Sequence, residues 1–164
     1  MKVVVVSDSH SNFSLLNEIV TKNYDADAFY HLGDSELPEY LLNNFTCVRG
    51  NCDYNDFPKE RDCLLEGFKI HLEHGNALNF AINPEHYIKE KDCDIFLFGH
   101  THQKYVNRIG KTYVFNPGSI ARPRDGEKGS YLILYLTRGQ HIKYEFKTLD
   151  EKWPSWLLSW SFFI

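Results

Sequence analysis

Five short segments of this chain gather the side chains that bind metal ions: Asp8-Ser9-His10, Gly33-Asp34, Gly50-Asn51, His74-Gly75 and Gly99-His100-Thr101-His102. They supply two aspartates, one asparagine and four histidines. Imidazole suits zinc, iron, nickel or copper, and carboxylate also tolerates manganese. The set is too large for one tetrahedral ion. A carboxylate can bridge two ions, and Asp34 is the natural candidate. Two ions about 3.5–4 Å apart clamp a phosphoryl group and activate a water between them. The expected chemistry is therefore metal-dependent hydrolysis of phosphate esters.

Each segment follows a short run that reads as a strand. Lys2–Val6 is β-branched without alternation, as in a strand buried on both faces. Phe13, Leu16, Ile19 and Val20 give helical spacing over Asn12–Lys22. Ala28–Leu32 is the next strand, Glu36–Asn44 the next helix and Thr46–Arg49 a third strand, so the chain opens as a wound, parallel sheet. Asp62–Leu65 and Lys69–Glu73 read as a hairpin, Asn83–Lys91 as a helix with Pro84 in its first turn, and Ile95–Phe98 as a buried strand. Tyr105–Ile109 with Thr112–Phe115, and Ser130–Thr137 with His141–Leu149, predict two further hairpins and a second, mainly antiparallel sheet towards the C-terminus. Ligands of a wound sheet collect at the carboxyl ends of its strands. On this reading one rim of one sheet carries all five segments. Gly33, Gly50, Gly75 and Gly99 permit the tight turns that aim the ligands inward.

Composition narrows the alternatives. The chain has 164 residues and a net charge of −4, with no long basic run interleaved with aromatics. That argues against a stable nucleic-acid complex. No stretch reaches the ~20 apolar residues needed to span a membrane, and Ser7-Asp8-Ser9-His10 cuts short the apolar start, so a cytoplasmic protein is expected. One domain over residues 1–164 is expected at this length. Cys47, Cys52, Cys63 and Cys93 lack Cys-x-x-Cys spacing, which leaves reduced thiols as the default. Cys52 is followed by Asp53-Tyr54-Asn55-Asp56-Phe57-Pro58, which cannot form the phosphate cradle of a cysteine-nucleophile phosphatase.

The ordered series Asp-x-His, Gly-Asp, Gly-Asn, His-Gly and Gly-His-x-His resembles the calcineurin-like metallophosphoesterases. Gly50-Asn51-Cys52-Asp53 and Asn116-Pro117-Gly118-Ser119 resemble their small phosphodiesterase branch of the YfcE type. The resemblance implies an α/β fold: a four-layer αββα sandwich with two mixed β-sheets, metallo-dependent phosphatase-like. It implies that Asp8, His10 and His102 bind one metal, that Asn51, His74 and His100 bind a second, and that Asp34 bridges. It also implies a metal-bridging hydroxide as nucleophile, with Asn51 facing the phosphate. The cofactors would be two divalent ions, with manganese preferred over nickel, zinc and iron, and the substrate a small phosphodiester or nucleotide-like molecule.

Two positions depart from the wider family. Cys52 stands where many members carry a histidine that protonates the leaving group, and thiol is a poor acid near neutral pH. Asp53, another group or a water would then supply that proton, while Cys52 would line the substrate site. Asn76 stands where another histidine often follows His74-Gly75.

Blander readings stand beside these. His74 can be a strand end, Asn116-Pro117-Gly118-Ser119 only a turn, and Arg122-Pro123-Arg124 a solvated loop. His31, His71, His86 and His141 match no motif and read as ordinary core-edge or surface residues. The apolar tail 152–164 would pack on its own domain or join a second subunit in a homo-oligomer. A phosphomonoesterase or nucleotide pyrophosphatase on the same site is the first rival function. A non-catalytic protein-binding scaffold, as in the retromer subunit that resembles this family, is the second.

Overall fold

The computed structural model describes residues 1–78 and 84–149. The predicted tail contact and the start of the helix predicted over 83–91 lie outside the described residues.

Strand β1 (Lys2–Val6) shows how the layers arise. Val3 to Val6 are all fully buried, so both faces of the strand need cover. Alternation sends Val3 and Val5 into one apolar cluster, and Val4 and Val6 into another. The second cluster contains Leu16 and Ile19 of helix α1 (Phe13–Lys22). The first also contains Ile70, Leu72, Ile95, Leu97 and Phe115 from the other sheet. A third cluster joins Phe96 and Val114 to Ile88 of helix α2 (Pro84–Glu90). Helix, sheet, sheet and helix are thus stacked in four layers.

The first sheet contains β1, β2 (Ala28–His31), β3 (Thr46–Cys47), β9 (Ser130–Tyr135) and β10 (Lys143–Thr148), in the order β10-β9-β1-β2-β3. The second contains β4 (Glu60–Leu65), β5 (Phe68–Glu73), β6 (Ile95–Leu97), β7 (Lys104–Ile109) and β8 (Thr112–Pro117), in the order β4-β5-β6-β8-β7. Both are mixed: β1 runs parallel to β2 and antiparallel to β9, and β6 runs parallel to β5 and β8.

Three expectations change. The C-terminal hairpin does not build a second sheet. It extends the first, because Leu132 and Leu134 face the inter-sheet core beside Val3 and Val5. The helix predicted over Glu36–Asn44 is a single 3-10 turn, Glu39–Leu42. Glu36 sits at a positive φ of 52°, and Pro38 disfavours helical backbone at Leu37, so no helix runs through these positions. Strand β3 is only Thr46–Cys47, since Val48 and Arg49 already follow the path into the next loop.

Helix α1 begins where Asn12 accepts a hydrogen bond from the Leu15 N–H through its side chain at 3.2 Å. Asn12→Ala removes that cap. Stability should fall by about 1 kcal/mol, read as a lower urea midpoint at unchanged m-value; no shift would deny the cap its role.

Candidate metal centre

The ligand segments follow β1, β2 and β3 of one sheet and β5 and β6 of the other. The expectation of one rim of one sheet is therefore corrected. The sandwich brings the carboxyl ends of both sheets together, and Gly99 meets Ser7 across the gap. A Cβ added at Gly99 would lie 2.0 Å from Ser7 Oγ, and one at Gly50 would lie 2.2 Å from the Asp34 backbone nitrogen. These two glycines are needed for close approach rather than for turning.

The loops hold their side chains in strained backbone. Asp8, His10, Asp34, His100 and His102 all have positive φ, between 42° and 66°. Left-handed backbone costs an L-residue roughly 1–2 kcal/mol, and such outliers gather at functional sites. Hydrogen bonds between loops maintain them: Asp8 N–H to Gly33 O at 3.0 Å, His10 N–H to Asp34 O at 3.1 Å, and Gly99 N–H to His74 O at 3.0 Å.

Three imidazoles are aimed by their Nδ1 atoms. His74 Nδ1 donates to the Leu32 carbonyl at 2.7 Å, His102 Nδ1 to the Arg122 carbonyl at 2.7 Å, and His10 Nδ1 to Glu36 at 2.6 Å. In the neutral ring each Nε2 then keeps its lone pair, the arrangement of a metal-binding histidine. His10 Nε2 and His102 Nε2 lie 3.4 Å apart. The His74 and His100 rings are 5.2 Å apart. Donor atoms of Asp8, His10 and His102 fall within 4.8 Å of one another, as do those of Asp8, Asp34 and His74. Asp8 belongs to both groups, a place the sequence assigned to Asp34 alone. Asn51 and His74 line the same cavity, and the Asn51 amide meets Cys52 Sγ at 3.2 Å.

The buried polar atoms test whether this set suits a cation. Among the described residues, two buried side-chain atoms have no hydrogen-bond partner: Asp8 Oδ1 and His74 Nε2. A buried polar atom left unpaired costs about 1–3 kcal/mol. One is a carboxylate lone pair and the other an imidazole nitrogen, both ordinary ligands of borderline divalent ions. The residues fit the metals that the resemblance implied.

Electrostatics follow from burial and crowding. Burial opposes the charged form of Asp34, yet the His74 imidazole and the Cys52 N–H, 2.8 Å from Oδ1, hold the carboxyl well below its usual range. Burial, then Asp34, pushes the Cys52 thiol up to about 11, so it remains protonated. Asp53 was one of the proton sources the sequence left open, beside another group or a water. Instead its carboxylate accepts from the N–H groups of Asp34, Ser35, Glu36 and Gly50 and from Ser35 Oγ, each at 2.8 Å. Burial opposes its charge, but these donors outweigh it and keep the carboxyl below its ordinary value. Asp53 is the peg on which two ligand loops hang.

Other residues were missed or misplaced from sequence. Glu36 orients His10 and carried no motif signal. His31 is buried, not superficial: Gly33 N–H donates to Nδ1 at 3.2 Å, and Nε2 lies 2.9 Å from Ser9 Oγ. Burial pushes its pKa down to about 4, so it stays neutral beneath the first two loops. His71 is buried too, 2.7 Å from Asp62 and 3.2 Å from Glu73. His86 and His141 are exposed, as expected. The Asn116-Pro117-Gly118-Ser119 turn supports the centre: Asn116 donates to the Gly99 carbonyl at 2.7 Å and Ser119 Oγ to the Asp8 carbonyl at 2.8 Å.

The comparisons with known proteins agree with this geometry. Residues 1–139 match the model of the calcineurin-like phosphoesterase superfamily domain. The chain is 33% identical over 143 residues to the probable metallophosphoesterase YsnB of Bacillus subtilis, covering 83% of this chain and 85% of that one. It is 33% identical over 103 residues to the phosphodiesterase YfcE of Escherichia coli, covering 57% of this chain and 54% of the relative. A solved structure from Streptococcus pneumoniae, described as a predicted phosphoesterase, superposes with a TM-score of 0.82 at 29% identity over 91% of this chain and 90% of its own. With a family model matched over most of its length and a convergent set of carboxylate and imidazole donors, the chain belongs to the calcineurin-like phosphoesterase superfamily.

Proposed function

We propose that this protein is a phosphodiesterase that uses two divalent ions held by Asp8, His10, Asp34, Asn51, His74, His100 and His102. The observation that carries the reading is the pair of buried ligand atoms without a hydrogen bond, Asp8 Oδ1 and His74 Nε2, which lie 3.2 Å from His102 Nε2 and 3.4 Å from Asp34 Oδ2, other members of the donor set. When bound, such ions polarise phosphoryl oxygens and lower the pKa of a water. The chain itself supplies orientation. The Leu32 and Arg122 carbonyls and Glu36 hold the imidazoles, and Asn51 offers an amide donor at the rim for an oxygen of the phosphate. Small diesters suit the net charge of −4 better than a duplex nucleic acid. The intact donor set weighs against a purely structural scaffold.

The test is hydrolysis of bis(p-nitrophenyl) phosphate and of p-nitrophenyl phosphate. The protein is stripped of metal and supplied with manganese, nickel, zinc or iron in turn, with His100→Ala as control. Metal-dependent turnover of the diester, lost in the control, supports the reading. Preference for the monoester would favour a phosphomonoesterase. No turnover with any metal would sink it.

Neither Cys52, whose thiol is pushed up to about 11 by burial and Asp34, nor Asp53, whose carboxylate is engaged by five donors, is a good acid for the leaving group. Cys52→His should therefore raise kcat on an alkyl phosphodiester by about tenfold or more, within the range of general-acid catalysis, with little change on the p-nitrophenyl ester. Equal kcat on the alkyl ester would show that the proton comes from elsewhere.

A further inference from the structure

A cavity of about 410 Å³ opens directly beside the second half of the centre. Asn51 and His74 line it together with Arg49, Lys59, Glu60, Glu73 and Tyr87. The Arg49 N–H donates to the Pro58 carbonyl at 2.8 Å, which fixes the two cationic positions on the same cavity.

The carboxylates of this cavity have partners within the protein, whereas two of its cations have none among the described residues. Glu73 is buried and engaged: His71 Nε2 lies 3.2 Å from it and the Tyr87 hydroxyl donates to it at 2.8 Å. Glu60 is paired with Lys91. Asp53 is consumed by five donors. Arg49 and Lys59, by contrast, have no side-chain hydrogen bond or ion pair among the described residues. A half-buried guanidinium with no carboxylate partner is prepared for an anion from outside, and its planar fork matches phosphate.

Resting on the phosphodiesterase reading, we infer that the Arg49–Lys59 cavity is a subsite for a second anionic group, so that the preferred substrate is a phosphodiester with a terminal phosphate on one arm. The diester phosphorus sits at the metal rim, beside Asn51, and the arm runs along the cavity wall. Hydrolysis adds water across the P–O bond: hydroxide goes to phosphorus and the proton to the departing oxygen, with no redox partner. Tyr87 is no platform for a base, because its hydroxyl is committed to Glu73 and the Lys91 ammonium lies 4.8 Å from the ring centre.

The experiment compares three substrates with manganese-loaded protein: bis(p-nitrophenyl) phosphate, the dinucleotide ApA, and 5′-phosphorylated pApA. The wild type should cleave the internal linkage of pApA with kcat/KM at least about tenfold above ApA. Arg49→Ala should abolish most of that preference and Lys59→Ala part of it, while both leave ApA and the aryl diester unchanged. Equal kcat/KM for pApA and ApA, or variants that slow all three substrates alike, would overturn the subsite and leave the phosphodiesterase reading standing. Calorimetric binding of adenosine 3′,5′-bisphosphate against adenosine 5′-monophosphate gives a second readout, independent of turnover. If no substrate is cleaved, tighter bisphosphate binding that Arg49→Ala weakens would support the subsite while the phosphodiesterase reading falls. Equal binding of the two nucleotides would overturn the subsite.

Discussion

Asp8→Asn should lower metal-dependent diester turnover about a thousandfold, roughly 4 kcal/mol of barrier, without unfolding the protein. Asp8 is fully buried, and its two oxygens do different work. Oδ2 accepts from Ser7 Oγ at 2.6 Å and from the His100 N–H at 3.1 Å. Oδ1 has no partner, yet it lies 3.2 Å from His102 Nε2. An amide can keep its carbonyl oxygen on the two donors and put its NH₂ where the ligand lone pair was. The fold survives and the donor shared by both groups is lost. Removing a buried negative charge beside Asp34 should also leave the metal-free protein as stable as wild type or more so, the usual exchange between stability and activity at a strained site. Thermal unfolding with and without manganese separates the two effects. Wild type should gain about 2.7 kcal/mol at a hundredfold excess over Kd, and the variant little. A variant with normal turnover, or with an undiminished response to manganese, would remove Asp8 from the centre.

Replacing Asp53 by alanine should be the most damaging change outside the ligand set. Five donors converge on this carboxylate, four of them backbone N–H groups of the loops after β2 and β3. Alanine leaves them unpaired in a partly buried loop, at a cost of about 3 kcal/mol or more. The Asp34 and Gly50 backbones then lose their common anchor, and diester turnover should fall with stability. A proton donor would behave differently: its loss would slow alkyl diesters far more than aryl ones, whereas loss of a peg slows both alike. Unequal losses would therefore return Asp53 to a catalytic role. The acid limb gives a further check. The Asp53 carboxyl is held below its ordinary value, so its contribution is fully present above the unfolded carboxylate pKa near ~3.9 and lost as pH falls through the lower folded value. Wild type and Asp53→Ala should converge in stability only under strongly acidic conditions.

The candidate donor set was legible because its signal is local. Each of Asp8, Asp34, His74 and His100 follows a short run that reads as a strand, and strands deliver their next residues to one end of a sheet. The β-α-β opening and the hairpin turns at Glu66-Gly67 and Gly110-Lys111 were readable for the same reason: period and turn chemistry act within a few residues. Local signals misled where tertiary bonds competed. Glu36–Asn44 has helical composition, but the loop holds Glu36 at positive φ and Pro38 restricts Leu37, and only a 3-10 turn remains.

By itself, the sequence determined which side chains are of metal-binding type, the order in which strands present them, and the family they mark. Only the tertiary structure decided that two sheets, not one, bring them together. It also placed β9 beside β1, gave Asp8 to both donor groups, and made Asp53 a peg and Glu36 a positioning residue for His10. The physical reason is range. Strand identity is set by neighbouring residues, whereas the partner of a sheet edge, of a carboxylate or of an unpaired arginine is set by what the fold carries to it from far along the chain.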